Sequence, residues 1–160
     1  MSKIFLTDGI IKKKRDILAI CPSCPFTLKG KFNSYPFILI VQLLTKTFAK
    51  LTIYPLNRDR VLKIILLGFD IQNNNVKGMI NQLKNFGIIH TSGITILGKR
   101  SYYECYLEIC FDDEKYKDLK NVLDKIKNVF EDIKIEEIYI KYIKNMQNDY
   151  YSNIVNAYLM

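Results

Sequence analysis

Between residues 61 and 140 the spacing of apolar positions alternates between a strand period and a helix period, and the order reads strand, helix, strand, strand, helix, strand. Val61 to Phe69 is a nearly continuous apolar run, as in an interior strand, and Ile133 to Ile140 is rich in β-branched residues. Asn73, Asn74 and Asn75 head a helix whose side chains Val76, Met79, Ile80, Leu83 and Phe86 fall three and four apart before Gly87. Asp112, Asp113 and Glu114 put negative charge at the start of a second helix, with Tyr116, Leu119, Val122, Leu123, Ile126, Val129 and Phe130 as its buried stripe. Between the helices lies a hairpin with arms Ile88 to Leu97 and Tyr102 to Phe111, joined through Gly98, Lys99, Arg100 and Ser101. In its second arm Tyr103, Cys105, Leu107, Ile109 and Phe111 share the face under the helices, while Tyr102, Glu104, Tyr106, Glu108 and Cys110 share the other.

These elements predict an α+β protein built as a ferredoxin-like βαββαβ sandwich, a four-stranded antiparallel sheet with two helices on one face. The first sixty residues read as an N-terminal extension. Lys3 to Thr7 and Ile10 to Lys14 flank an Asp8-Gly9 pair, a strong hairpin signal, and Asp16 to Ile20 suits a third short strand. Phe37, Ile40, Val41, Leu44, Phe48 and Leu51 recur at helical spacing after Ser34 and Pro36, which favours a helix over 36–51, with a buried strand from Phe37 to Leu43 as the alternative. Pro55, Asn57, Arg58 and Asp59 mark a connector, dividing the chain into a basic extension over 1–57, a ferredoxin-like domain over 58–140 and a C-terminal helix over 141–160.

Charge sharpens the division. Residues 1–60 carry eleven Lys or Arg against three Asp, and residues 61–160 carry thirteen of each sign, so the net charge of +8 is N-terminal. Its densest cluster is Lys12, Lys13, Lys14 and Arg15, which suits phosphate or acidic partners. The best apolar stretch, Pro36 to Leu56, is interrupted by Lys46 and Lys50, so no membrane span is expected, and a cytoplasmic location follows from the absence of a signal-peptide pattern.

Catalytic equipment is thin. His90 is the only histidine, beside Thr91 and Ser92, and a lone histidine on a strand is more often packed than catalytic. No nucleophile elbow, phosphate-binding glycine loop or histidine ligand set is present, so neither enzyme activity nor a cofactor is expected. Cys21-Pro22-Ser23-Cys24 has a C-x-x-C spacing open to free thiols, a redox pair or a metal site. Cys105 and Cys110, five positions apart on a strand, point to opposite faces, and no metal site is expected.

The run Leu67-Gly68-Phe69-Asp70, the asparagine-rich helix start, Ile80-Asn81-Gln82-Leu83, Asn85-Phe86-Gly87 and the hairpin with Gly98 resemble the NIL domain, and more distantly the ACT domain, over residues 61–140. The resemblance implies a regulatory module that binds a small, amino-acid-like ligand near Gly68, Asp70, Asn73 and Asn74, often at a homodimer interface. A helix N-terminus there also favours an anion, with Asp70 as partner for an ammonium group. Two alternatives use the same fold. Tyr102 and Tyr106 on an open sheet face could stack RNA bases while Lys12, Lys13, Lys14 and Arg15 hold phosphates, or the chain could be a non-catalytic assembly subunit.

Overall fold

In the computed structural model, residues 6–20, 34–45, 47–69, 71 and 73–140 are described, the side chains of 18–20 and 73 excepted. The elements are β1 (Asp8–Lys13), α1 (Lys14–Ile20), β2 (Phe37–Leu44), β3 (Ala49–Leu56), β4 (Arg60–Gly68), α2 (Asn73–Leu83), β5 (Ile88–Thr91), β6 (Thr95–Leu97), β7 (Arg100–Leu107), α3 (Lys115–Ile126) and β8 (Asp132–Tyr139). The expected ferredoxin-like sandwich, one four-stranded sheet with an N-terminal hairpin and helix extension, is corrected by this arrangement. Eight strands form two antiparallel sheets, one of three strands in the order β1-β2-β3 and one of five, ordered β5-β7-β4-β8 with β6 also paired to β7.

Ser92 explains the fifth strand. Its N–H donates to the Glu104 carbonyl at 2.9 Å and its hydroxyl accepts from the Glu104 N–H at 2.9 Å, so a side chain takes over one rung of the ladder. Gly93 follows with φ of 75°, which ends one strand and lets β6 begin at Thr95. Since β4 occupies one edge of β7, β5 and β6 lie end to end along the other. The turn to β7 is also tighter than the sequence suggests, with Leu97 opposite Arg100 across Gly98-Lys99 and Gly98 at φ of 64°.

α2 and α3 cover one face of the five-stranded sheet. Leu62, Ile64 and Leu66 of β4 and Tyr103, Cys105 and Leu107 of β7 form a core with Met79, Leu83, Leu119 and Leu123, which are the faces the alternation and helical spacing predict. Phe111 and Val129, expected in that core, are exposed.

The N-terminal sixty residues depart further from expectation. Residues 37–44 are strand β2, because antiparallel partners on both sides, Ile10 opposite Ile40 and Ile40 opposite Ile53, give β-branched side chains the pairing they favour. Residues 14–20 are helical and not a third strand. Asp8-Gly9 is no turn. Both residues lie in β1, opposite Gln42 and Val41. A Cβ on Gly9 would stand 2.7 Å from both Ile138 Cδ1 and Tyr106 Cε1, so this glycine marks where β1 crosses closely over the larger sheet.

That crossing closes the face the sequence leaves open. Ile11, Leu39, Val41 and Leu56 of the smaller sheet pack with Val61 and Tyr106 of the larger one in a second core. The bend at 57–59 falls where a boundary is expected, yet the two sheets share this core. The layers therefore run three-stranded sheet, five-stranded sheet, helices. No helix of the described residues is long and apolar enough to cross a membrane. The C-x-x-C pair and the helix expected over 141–160 lie outside the described residues.

Candidate functional site

Burial of a closed sheet face is simple for Val61 and Ile65, but Lys63, Glu104 and Tyr106 share that face and need polar partners. Lys63 Nζ sits 2.9 Å from Glu104 Oε1 with both side chains at most 2% exposed. Glu104 also accepts the Leu6 N–H on Oε1 at 3.1 Å, the Thr7 N–H on Oε2 at 2.9 Å, and the Thr7 hydroxyl on Oε2. Lys63 Nζ donates to the Thr7 carbonyl at 2.6 Å, and Thr7 Oγ1 lies 2.8 Å from the Tyr106 hydroxyl. One buried ion pair thus pins the chain where it enters β1. Burial pushes the Tyr106 phenol up, and it stays protonated.

Beside this latch the inter-sheet core gives way to a cleft of about 140 Å³ lined by Leu6, Thr7, Val41, Leu43, Lys50, Thr52, His90, Thr91, Ser92 and Thr95. Strand register produces it. Across the β2–β3 pair Leu39 faces Tyr54, Val41 faces Thr52 and Leu43 faces Lys50, so one face turns from apolar to polar as it leaves the core. On the opposite wall the β5 ladder is irregular between Ile88 and His90. A bulge of this kind re-aims side chains, and here Ile89 packs in the inter-sheet core while His90 meets Tyr54 and Tyr106.

His90 Nδ1 lies 2.6 Å from the Tyr54 hydroxyl, which leaves Nε2 as the ring atom for a ligand. Burial holds the imidazole below its ordinary value of 6.5, the Lys50 charge acts in the same direction, and Glu104 opposes both. The titratable and charged groups around it are Tyr54 and Lys50 of β3 and Tyr106 and Glu104 of β7. Because the folded state resists protonating His90, the unfolded chain binds the proton first as pH falls below about 6.5, and stability decreases there. As the only histidine it gives a direct readout: its imidazole proton resonance should titrate below pH 6.5, and a midpoint above that value would contradict this environment.

Of the positions singled out from sequence, Lys13, Lys14 and Arg15 are brought together, lining one recess with Ser34, Tyr35, Pro36 and Phe37. Gly68 is buried at the end of β4, where a Cβ would stand 2.9 Å from Ile71 Cγ1, so an apolar side chain fills that corner. Asn74 is exposed at the start of α2; Asp70 and the Asn73 side chain lie outside the described residues. Lys12 and Lys13 are on β1, and Lys14 and Arg15 open α1, with Arg15 against Asp16 at 3.4 Å. Tyr102 and Tyr106, expected on an open face, are 4% and 0% exposed, Tyr106 within the inter-sheet core, and cannot stack bases. Sequence reasoning met His90, Thr91 and Ser92 but missed Lys50, Thr52 and Thr95; only the polar run at 90–95 gave a signal.

Cys110, Asp112 and Glu137 also place one ligand atom each within 4.8 Å of one another. Their interactions already satisfy them. The Cys110 thiol donates to Asp112 at 2.8 Å and is pushed up to about 12, chiefly by burial. Arg60 holds Asp112 at 3.1 Å, and Glu137 accepts the Phe111 N–H at 3.0 Å. No protein-family model matches the chain, and no curated protein matches it.

Proposed function

We propose that the protein is a non-catalytic regulatory module that binds a small molecule of amino-acid size in the cleft between its two sheets. The observation that supports this reading is the cleft itself, a polar recess with Lys50, His90 and several hydroxyls beside the inter-sheet core and its buried ion pair. Its volume of about 140 Å³ corresponds to roughly four or five water molecules at about 30 Å³ each, too little for a nucleotide and suited to an amino-acid-sized compound.

Among the described residues no activated nucleophile faces the cleft. Ser92 Oγ donates to the Gly93 carbonyl at 2.7 Å and accepts from Glu104, and burial pushes the Cys105 thiol up to about 12. Cys105 and Cys110 are free thiols, which fits the reducing cytoplasm as the location.

A ligand touching Thr52 on one sheet and Thr91 on the other stabilises the native state by mass action. At a hundredfold excess over Kd the gain is about 2.7 kcal/mol, a rise in Tm of roughly 5 to 10 °C for a chain of this size. Thermal denaturation in the presence of each amino acid and of small organic and inorganic acids measures it. Unchanged Tm with every compound would rule out the cleft as a binding site.

A further inference from the structure

We infer that the ligand of this cleft is a small oxyanion without an ammonium group, a 2-hydroxy or 2-oxo carboxylate or a phosphate, with Lys50 as its counter-ion. This rests on the cleft being the binding site and adds the charge of what it takes.

Among the described residues the lining carries charge of one sign. Lys50 is its cation, and among the described residues no carboxylate lines the cleft or pairs with Lys50. The nearby carboxylate, Glu104, is 0% exposed and already engaged by Lys63, two backbone N–H groups and the Thr7 hydroxyl. It has no capacity left for a ligand's ammonium. What remains in the wall is His90 Nε2 and the hydroxyls of Thr52, Thr91 and Thr95, groups that donate to oxygen at short range.

Lys50 and His90 are close enough for the lysine charge to be felt at the ring. With the imidazole neutral at pH 7, Lys50 supplies the positive charge of the described lining; an anion offsets it, whereas an amino acid brings a second positive group into the same space without a partner. Amino acids and hydroxy acids of equal size therefore separate on charge and not on fit.

Calorimetric titration of the full chain at low salt with L-lactate, pyruvate, inorganic phosphate and L-alanine tests the inference, using wild type and Lys50→Met. Lys50 is exposed on a hairpin strand, so the variant retains the fold. Binding of at least one oxyanion is expected, with alanine weaker by about ten-fold or more and Lys50→Met weakening the oxyanion by a similar factor. Phosphate alone binding identifies the anion as phosphate; lactate or pyruvate alone identifies it as a carboxylate. Alanine binding as tightly as lactate, or unchanged oxyanion affinity in Lys50→Met, overturns the inference while leaving a ligand-binding cleft in place. Silence from all four titrants and from the wider amino-acid and acid series overturns the cleft reading as well.

Discussion

Replacing Glu104 by Gln is expected to destabilise the protein by about 3–5 kcal/mol, the range for removing one partner of a buried ion pair. The Lys63 ammonium, 2% exposed, would then lie beside a neutral amide. The Gln side chain has one acceptor oxygen, and it cannot serve Lys63, the Leu6 and Thr7 N–H groups and the Thr7 hydroxyl together. Replacing both members, Lys63→Met with Glu104→Leu, relieves the ammonium but orphans the Leu6 and Thr7 amides, so it recovers only part of the loss. Urea unfolding of the two variants beside wild type measures the loss and how much of it is recovered. The exposed pair Arg100–Glu131, at 3.3 Å, is the control, with an expected contribution of about 0–1 kcal/mol. If Glu104→Gln stays within about 1 kcal/mol of wild type, the latch is not a buried, tightly satisfied network. Leu6 and Thr7 line the cleft, so the same variant should also weaken ligand binding.

Leu39→Ala is expected to cost about 2–5 kcal/mol while leaving a single cooperative unfolding transition. Leu39 is 0% exposed in the core formed by Ile11, Val41 and Leu56 of the smaller sheet and Val61 and Tyr106 of the larger. Removing three carbon atoms there leaves a void between layers, and neither sheet can refill it without moving the other. The chain has eleven tyrosines and no tryptophan, so tyrosine fluorescence reports side-chain packing, that of Tyr54 and Tyr106 at the inter-sheet face included, while circular dichroism reports backbone structure. Coincident transitions, both shifted, show that the sheets unfold together. An early transition confined to part of the backbone signal, with the remainder at the wild-type midpoint, would show that the basic N-terminal region is an independent unit.

The two helices between 61 and 140 were legible because each packs on the same sheet face. α2 and α3 each present a single apolar stripe to a sheet, and that stripe is visible at spacings of three and four. The segment 37–44 was not, since Phe37, Ile40, Val41 and Leu44 satisfy a helical spacing while Ile38 and Leu39 satisfy a strand, and a run apolar at nearly every position fits either. Pairing to β1 and β3 decided it. Asp8-Gly9 misled for a related reason. The same residue pair that favours a turn also suits a strand where another sheet approaches within contact of Gly9.

The candidate site was less legible than the fold. Tyr102, Glu104 and Tyr106 alternate as a solvent-facing strand edge would, and the buried polar partner of Glu104 and Tyr106 is Thr7, nearly a hundred positions away in the chain. Lys50, Thr52, His90 and Thr95 meet only because the β2–β3 pair sets its register beside an interrupted β5 and β6.

By itself the sequence determined where the helices and most strands of the C-terminal half begin, which faces pack beneath the helices, and that the excess positive charge belongs to the first sixty residues. Only the tertiary structure decided that β1, β2 and β3 within those sixty residues form a second sheet, that this sheet seals the far side of the first, and that a polar cleft remains at one end of the seam. Local periodicity reports the neighbours a residue has within its own element, whereas layer stacking depends on surfaces distant in the chain matching in shape and hydrogen-bonding capacity.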